Sequence, residues 1–126
     1  MRAIDTNVLV RLVMRDDPKQ AALAEAFVAM GAWLPHVVLA EFVWVLDSNY
    51  GLKRAQLGVA VEMLLKHEHL TIQDADVVES ALELFRSHAA DFSDCLILAT
   101  AHKLGHGPLG TFDRRLSKLA AVELLH

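Results

Sequence analysis

Short apolar stretches alternate with longer amphipathic ones along the chain, and Gly, Pro or an acidic residue marks most of the changes. The short stretches predict strands, and the longer ones, with apolar positions three and four residues apart, predict helices. The predicted strands are 2–4, 32–34, 70–72, 109–111 and 121–125. The predicted helices are 8–14, 18–30, 36–49, 53–66, 74–88 and one from about 91–94 to Gly105, with a helical turn at 114–119. Strands that alternate with helices predict an α/β fold with a parallel sheet flanked by helices.

Size and composition indicate one soluble domain, residues 1–126. Hydrophobic residues make up 54% of the 126, which excludes a disordered chain and suits buried helices and a subunit interface. The longest stretch without a charged residue, Ala26–Ala40, is shorter than the ~20 residues of a membrane span. The charged N-terminal residues do not resemble a secretory signal, and the single cysteine, Cys95, excludes an intrachain disulfide. We therefore expect a cytoplasmic location.

The net charge of −4 lacks the basic excess of a general nucleic-acid binder. Basic residues do cluster locally, for example at Arg114, Arg115 and Lys118. Such a cluster is either a solvated helix face or a basic rim that faces a phosphate backbone. The net charge does not decide between these interpretations.

Three aspartates stand where a strand or loop gives way to a predicted helix: Asp5, Asp91 and Asp113. Aspartate is favoured at such positions simply because its carboxylate caps the free N–H groups of a helix. Asp91 and Asp94 also have the spacing of a capping pair. Each aspartate alone is therefore explained either as a helix cap or as part of a functional site.

Glu41 is the only ionisable side chain in residues 37–46. A helix that is apolar on every face is expected to be buried, and an isolated buried carboxylate is costly unless it is paired, neutralised or bound to a metal. Glu41 is then either a partner in a buried salt bridge or part of a metal or acid–base site. Trp33 and Trp44 also lie in apolar runs and are expected in the core.

Topology connects these carboxylates. Ligands of open parallel sheets bind at the carboxyl ends of the strands, beside the helix N-termini that follow. If the strands are parallel, Asp5, Asp94 and Asp113 converge on one edge, which Glu41 reaches from its own helix. Carboxylates gathered in this way repel each other and need a cation, and an all-oxygen set suits Mg²⁺ or Mn²⁺. Such a site binds phosphate oxygens, activates water and supports displacement at phosphorus.

Four segments together resemble the PIN-domain ribonucleases, and among them the VapC toxins of toxin–antitoxin pairs. These segments are AIDTNVL at 3–9, LAE at 39–41, DFSDCLILA at 91–99 and TFDRRL at 111–116. Their order and spacing match the family, and they are distributed along nearly the whole chain. The resemblance implies a single PIN domain over 1–126, with a short-stranded parallel sheet in a three-layer α/β/α arrangement.

The resemblance also implies residue roles. Asp5, Glu41, Asp94 and Asp113 match the acidic positions that hold the divalent metal and carry out catalysis. Asp91 matches an additional acidic position, and Thr6 and Thr111 match hydroxyl positions that orient carboxylates or water. The one departure is Cys95, where alanine is more usual and where no functional change is expected.

The implied activity is that of a type II toxin, a Mg²⁺- or Mn²⁺-dependent endoribonuclease that hydrolyses RNA by metal-activated water. The products would carry 5′-phosphate and 3′-hydroxyl ends. The implied partners are RNA, a cognate antitoxin protein and a second copy of the chain.

Two other functions stay open from the residues alone. A catalytically silent PIN-like binding module is opposed by the presence of all four acids, although activity depends on fine geometry. A receiver-like, phospho-accepting domain fits the length and the acidic pocket, but only one acid, Asp5, follows the first strand. A dehalogenase-like phosphatase would need a second acid where Asn7 stands.

Overall fold

Strands of two or three residues alternate with longer helices in the computed structural model, which describes residues 1–126. The elements in chain order are β1 (Arg2–Ala3), α1 (Thr6–Met14), α2 (Pro18–Val28), β2 (Ala32–Leu34), α3 (His36–Ser48), α4 (Arg54–Lys66), β3 (Leu70–Ile72), α5 (Ala75–Ser87), α6 (Phe92–Lys103), β4 (Leu109–Thr111), a 3₁₀ turn (Leu116–Lys118) and β5 (Val122–Leu124). The contacts of the chain group it into two units, Met1–Ala75 and Asp76–His126. The expectation of one domain over 1–126 stays a prediction.

The first unit contains a three-stranded parallel sheet in the order β1-β2-β3. Ala3 pairs with Trp33, which in turn pairs with Thr71. Parallel strands need a crossover between them, and the helices α1 with α2, and α3 with α4, supply the two crossovers of this sheet. Within this unit α1 packs against α2 and α3, and α3 packs against α4.

The second unit begins with α5 and α6 and contains the parallel pair β4 and β5, in which Thr111 pairs with Leu124. Phe85 of α5 meets Phe92 of α6 edge to face, with ring centroids 5.7 Å apart. Cys95, one turn after Phe92 on α6, is buried and forms no disulfide.

Local sequence explains where the helices of the first unit begin and end. Asp5 caps α1 and Asp17 caps α2, with Pro18 following in the first turn, where its missing N–H costs nothing. Gly31 and Gly51 follow α2 and α3 with φ angles of 87° and 67°, a region that only glycine enters without strain.

The predicted α/β class and the parallel strands are confirmed, with element bounds that differ by a few residues from those expected. The placement of both tryptophans in the core was wrong. Trp44 is 64% exposed on α3 and Trp33 is 37% exposed on β2, because each lies on the face of its element opposite the buried side chains. No helix is both long and apolar enough to cross a membrane.

Candidate functional site

Asp5 stands just after β1, at the N-terminus of α1. Its Oδ1 accepts a hydrogen bond from the Val8 N–H at 3.1 Å, so the cap interpretation is correct. The bond fixes the side chain but uses only one carboxylate oxygen, and Oδ2 has acceptor capacity left. Thr6, next in the chain, is buried, and no hydrogen bond joins its hydroxyl to a carboxylate. The orienting role of Thr6 stays a prediction.

Glu41 lies on the exposed face of α3, and the expectation of a buried carboxylate there was wrong. The helix buries Leu39 and Phe42 completely, while Val37 and Trp44, one turn either side of Glu41, are 79% and 64% exposed. The helix therefore has a buried and an exposed face, although both are apolar in composition. Glu41 forms no salt bridge, so the alternative of a buried ion pair was also wrong.

Asp5 and Glu41 belong to the same unit. Asp5 follows β1 and Glu41 lies in the second turn of α3, the helix that follows the neighbouring strand β2. The helices α1 and α3 pack against each other, and the carboxyl ends of β1 and β2 point to the same edge of the parallel sheet. The first unit thus places Asp5 just after β1 and Glu41 in the helix that follows β2. The convergence of their carboxylates on one site stays a prediction.

Asp94 lies in the first turn of α6 in the second unit and is partly buried. Burial raises the pKa of its carboxyl group, and the negative charges of Asp91 and then Asp113 raise that pKa further, against a smaller opposing effect of Arg115. Both desolvation and nearby like charges disfavour an ionised carboxylate. The Asp94 carboxylate accepts no protein hydrogen bond, so both of its oxygens are available to a ligand.

Asp91 occupies the N-cap position of α6, yet its side chain makes no capping hydrogen bond. The i, i+3 spacing of Asp91 and Asp94 therefore does not form the capping pair that was one of its two interpretations. The Asp91 carboxylate is instead 4.0 Å from the guanidinium of Arg115. The second unit thus holds Asp91, Asp94 and Asp113 close enough to influence one another electrostatically.

Asp113 is positioned by the turn that follows β4. Its Oδ1 accepts hydrogen bonds from the N–H groups of Arg115 at 2.8 Å and Leu116 at 3.3 Å. Its own N–H donates to the Thr111 hydroxyl at 3.0 Å. Thr111 therefore holds the backbone of Asp113 and does not contact the carboxylate, which still has one oxygen free of protein donors.

Arg115 is a residue that motif reasoning missed. Its Nη2 lies 4.0 Å from Asp91 Oδ2, and its Nε lies 4.0 Å from Asp113 Oδ1. The available signal was its place two residues after Asp113, within a basic cluster whose role the sequence left open. One member of that cluster faces acids and is not simply a solvated charge.

Neither unit by itself brings three or more His, Cys, Asp or Glu side chains into an arrangement ready to hold a metal ion. The donor chemistry nevertheless fits a hard divalent cation, since every predicted ligand is a carboxylate with at least one oxygen free of protein hydrogen bonds. The raised pKa of Asp94 agrees with this fit, because a cation would relieve the repulsion among the three acids of the second unit.

Comparison with known proteins decides the family. The model of the PIN domain matches residues 3–122, nearly the whole chain. The chain belongs to the PIN-domain family. Its fold class is therefore the three-layer α/β/α class of PIN domains. A VapC ribonuclease of Aquifex aeolicus (strain VF5) is 26% identical over 124 residues, which cover 94% of this chain and 92% of that protein.

Proposed function

We propose that this PIN protein is a Mg²⁺- or Mn²⁺-dependent endoribonuclease, the toxin of a type II toxin–antitoxin pair, acting as one domain over residues 1–126. The observation that carries the proposal is the grouping of Asp94 with Asp91 and Asp113, whose negative charges add to burial in raising the pKa of the Asp94 carboxyl group. Perturbed carboxyl groups of this kind are concentrated at functional sites. The end-to-end similarity to a VapC ribonuclease supports RNA as the substrate.

The residues that would hold the metal are Asp5, Glu41, Asp94 and Asp113. A divalent ion held there would polarise a phosphodiester and lower the pKa of a water molecule. Asp5 and Asp113 each commit one oxygen to backbone N–H groups, which locks their orientation and leaves the other oxygen for ligation. Asp94 keeps both oxygens free, and Glu41 extends from the exposed face of α3.

Asp91, Thr6 and Thr111 are proposed as auxiliary residues. Thr111 anchors the backbone of Asp113 through its hydroxyl, so it would hold the carboxylate in place without touching substrate. Asp91 adds negative charge beside Asp94 and would strengthen the attraction for a dication.

The proposed partners are RNA, a cognate antitoxin protein and a second copy of the chain, all in the cytoplasm. Val37 and Trp44, both exposed on α3, support a homodimer because adjacent large apolar side chains at the surface are typical of interaction sites. Sedimentation equilibrium tests this part: Trp44→Ser is expected to shift the protein towards monomer, and an unchanged dimer constant would contradict it.

The activity is tested with labelled transfer, ribosomal and single-stranded RNAs in Mg²⁺, Mn²⁺ or chelator. Wild type is expected to cut in the presence of metal, and Asp5→Asn and Glu41→Gln are expected to lose at least a hundredfold of the rate while remaining folded. Asp47→Asn is a matched control, since Asp47 is an exposed acid on α3 outside the proposed site. Full activity of Asp5→Asn would refute the site. A folded wild-type protein that binds RNA without cutting it would favour the silent binding module.

A further inference from the structure

The guanidinium of Arg115 is shared between two acids of the second unit. Nη2 is 4.0 Å from Asp91 and Nε is 4.0 Å from Asp113. Both separations exceed the 2.7–2.9 Å of a charge-assisted hydrogen bond. The contact is therefore an electrostatic one and not the bidentate clamp of which arginine is capable.

The backbone around Arg115 is held more firmly than its side chain. Its N–H donates to Asp113 Oδ1 at 2.8 Å, so the turn fixes the Cα position. The side chain is 58% exposed and makes no hydrogen bond. It can leave the two carboxylates by rotating about its own bonds, at little cost.

We propose that Arg115 is the internal counter-ion of Asp91 and Asp113 when no metal is bound, and that it binds an RNA phosphate once a divalent cation takes its place. This inference rests on the proposed function. A dication and a guanidinium compete for the same carboxylates. Arginine released from them is well suited to a phosphate, whose oxygens match the planar fork of its N–H donors.

Arg114 is a matched control. It precedes Arg115 in the same turn, is exposed and carries the same charge, but its side chain contacts no acid. A general electrostatic effect of removing one positive charge would appear in both variants. An effect of the specific position would appear only in Arg115→Gln.

The first test is the affinity of the protein for Mn²⁺ in the absence of RNA, measured by calorimetry. Arg115→Gln is expected to bind Mn²⁺ about three- to tenfold more tightly than wild type, because no guanidinium then competes with the ion for the carboxylates of Asp91 and Asp113. Arg115→Lys, which keeps the charge, is expected to stay near wild type, and Arg114→Gln to change less than twofold. Equal affinities of wild type and Arg115→Gln would overturn the counter-ion role.

The second test is binding of a short labelled single-stranded RNA, followed by fluorescence anisotropy in Ca²⁺ and in chelator, with the RNA checked for integrity. In Ca²⁺, Arg115→Gln is expected to weaken binding severalfold and to reduce the slope of log K against log [KCl] by about 0.7, the value of one phosphate contact. In chelator the same variant is expected to match wild type, because Arg115 then stays beside the carboxylates of Asp91 and Asp113 and does not contact the RNA. An equal loss in both conditions would overturn the exchange.

The two tests separate failure of this inference from failure of the proposed function. Binding of Mn²⁺ that is lost in Asp94→Asn but unaltered in Arg115→Gln refutes the role of Arg115 and leaves the metal site standing. Absence of Mn²⁺ binding by the wild-type protein refutes both.

Discussion

Replacement of Asp94 with asparagine is expected to stabilise the folded protein while it removes a proposed metal ligand. Burial raises the pKa of the Asp94 carboxyl group, and the charges of Asp91 and Asp113 raise it further. At neutral pH the charged form of Asp94 therefore has a higher free energy in the folded protein than in the unfolded chain, which lowers the stability of the fold. A neutral isostere avoids that cost.

The magnitude follows from the charges around Asp94. A like charge at ~4 Å costs about 1 kcal/mol in water-like surroundings, and the cost falls as the separation grows. Arg115 offsets part of this cost, and solvent around the partly exposed side chain screens much of the rest. A net gain of about 0.5–1 kcal/mol for Asp94→Asn is expected, equivalent to about 2–5 °C in the melting temperature of a domain of this size.

The pH dependence of unfolding checks independently that Asp94→Asn stabilises the folded protein. At pH values below the ordinary aspartate pKa of 3.8, the protonated carboxyl group of Asp94 stabilises the folded state. This stabilisation is lost as the pH rises through the raised pKa of the folded protein. Wild type and Asp94→Asn are therefore expected to melt together near pH 3.5 and to separate as the pH increases to about 7.5. Thermal unfolding in chelator measures both, and added Mg²⁺ should then stabilise only the wild type.

Asp76→Asn is a control of opposite sign. A hydrogen bond from Lys103 lowers the pKa of Asp76, so its ionised form supports folding at neutral pH and Asp76→Asn should lower the melting temperature. The account would be refuted by an Asp94→Asn protein that melts below wild type at pH 7.5. It would equally be refuted by a stabilisation of the same size at pH 3.5.

Three further predictions follow from individual contacts. Asp5→Ala is expected to lose about 1 kcal/mol of stability because the cap of α1 is removed, whereas Asp5→Asn keeps a capping oxygen. Equal losses of both variants in a urea titration would contradict the contribution of this cap to stability. Thr111→Val should lower the RNA cleavage rate about tenfold by freeing the backbone of Asp113, with Thr111→Ser restoring it, and failure of serine to restore the rate would count against the hydroxyl. Phe42→Ala, at a fully buried position, should lower the free energy of unfolding by about 3–5 kcal/mol in chemical denaturation. Trp44→Ala, at an exposed position, should leave the stability of the monomer within about 0.5 kcal/mol of wild type. Similar losses for the two variants would show that Trp44 belongs to the core.

The strands were the most predictable part of the fold. Residues 32–34, 70–72 and 109–111 were predicted with the same bounds that they have in the structure. They are short apolar runs closed by Pro or bounded by Gly and polar residues, and such boundaries are set by the local backbone. Helix bounds were less accurate, because the last turn of a helix depends on contacts that local sequence does not contain.

The exposed face of α3 could not be predicted from composition. Val37, Glu41 and Trp44 lie one turn apart on the side that carries no packing partner within the chain. Residues 37–46 are apolar on all sides but for Glu41, so the pattern contains no polar stripe to mark the outside of the helix. Some of the apolar residues whose abundance indicated a buried helix therefore lie on the protein surface.

The roles of the acids were predictable in type but not in detail. The position of Asp5 after a strand predicted a helix cap, and the cap is present. The same reasoning gave a capping pair as one of two interpretations of Asp91 and Asp94, but Asp91 makes no capping hydrogen bond and lies 4.0 Å from Arg115. Capping depends on one side-chain rotation, which the spacing of two aspartates along the sequence does not determine.

The central claim is most directly tested by incubating the wild-type protein and Asp94→Asn with RNA, in Mg²⁺ and in excess chelator, and by mapping the ends of the products. The account predicts cutting by the wild type in Mg²⁺ alone, with 5′-phosphate and 3′-hydroxyl ends, and none by the variant. Cutting that survives both the chelator and Asp94→Asn, or products that end in 2′,3′-cyclic phosphate, would contradict it.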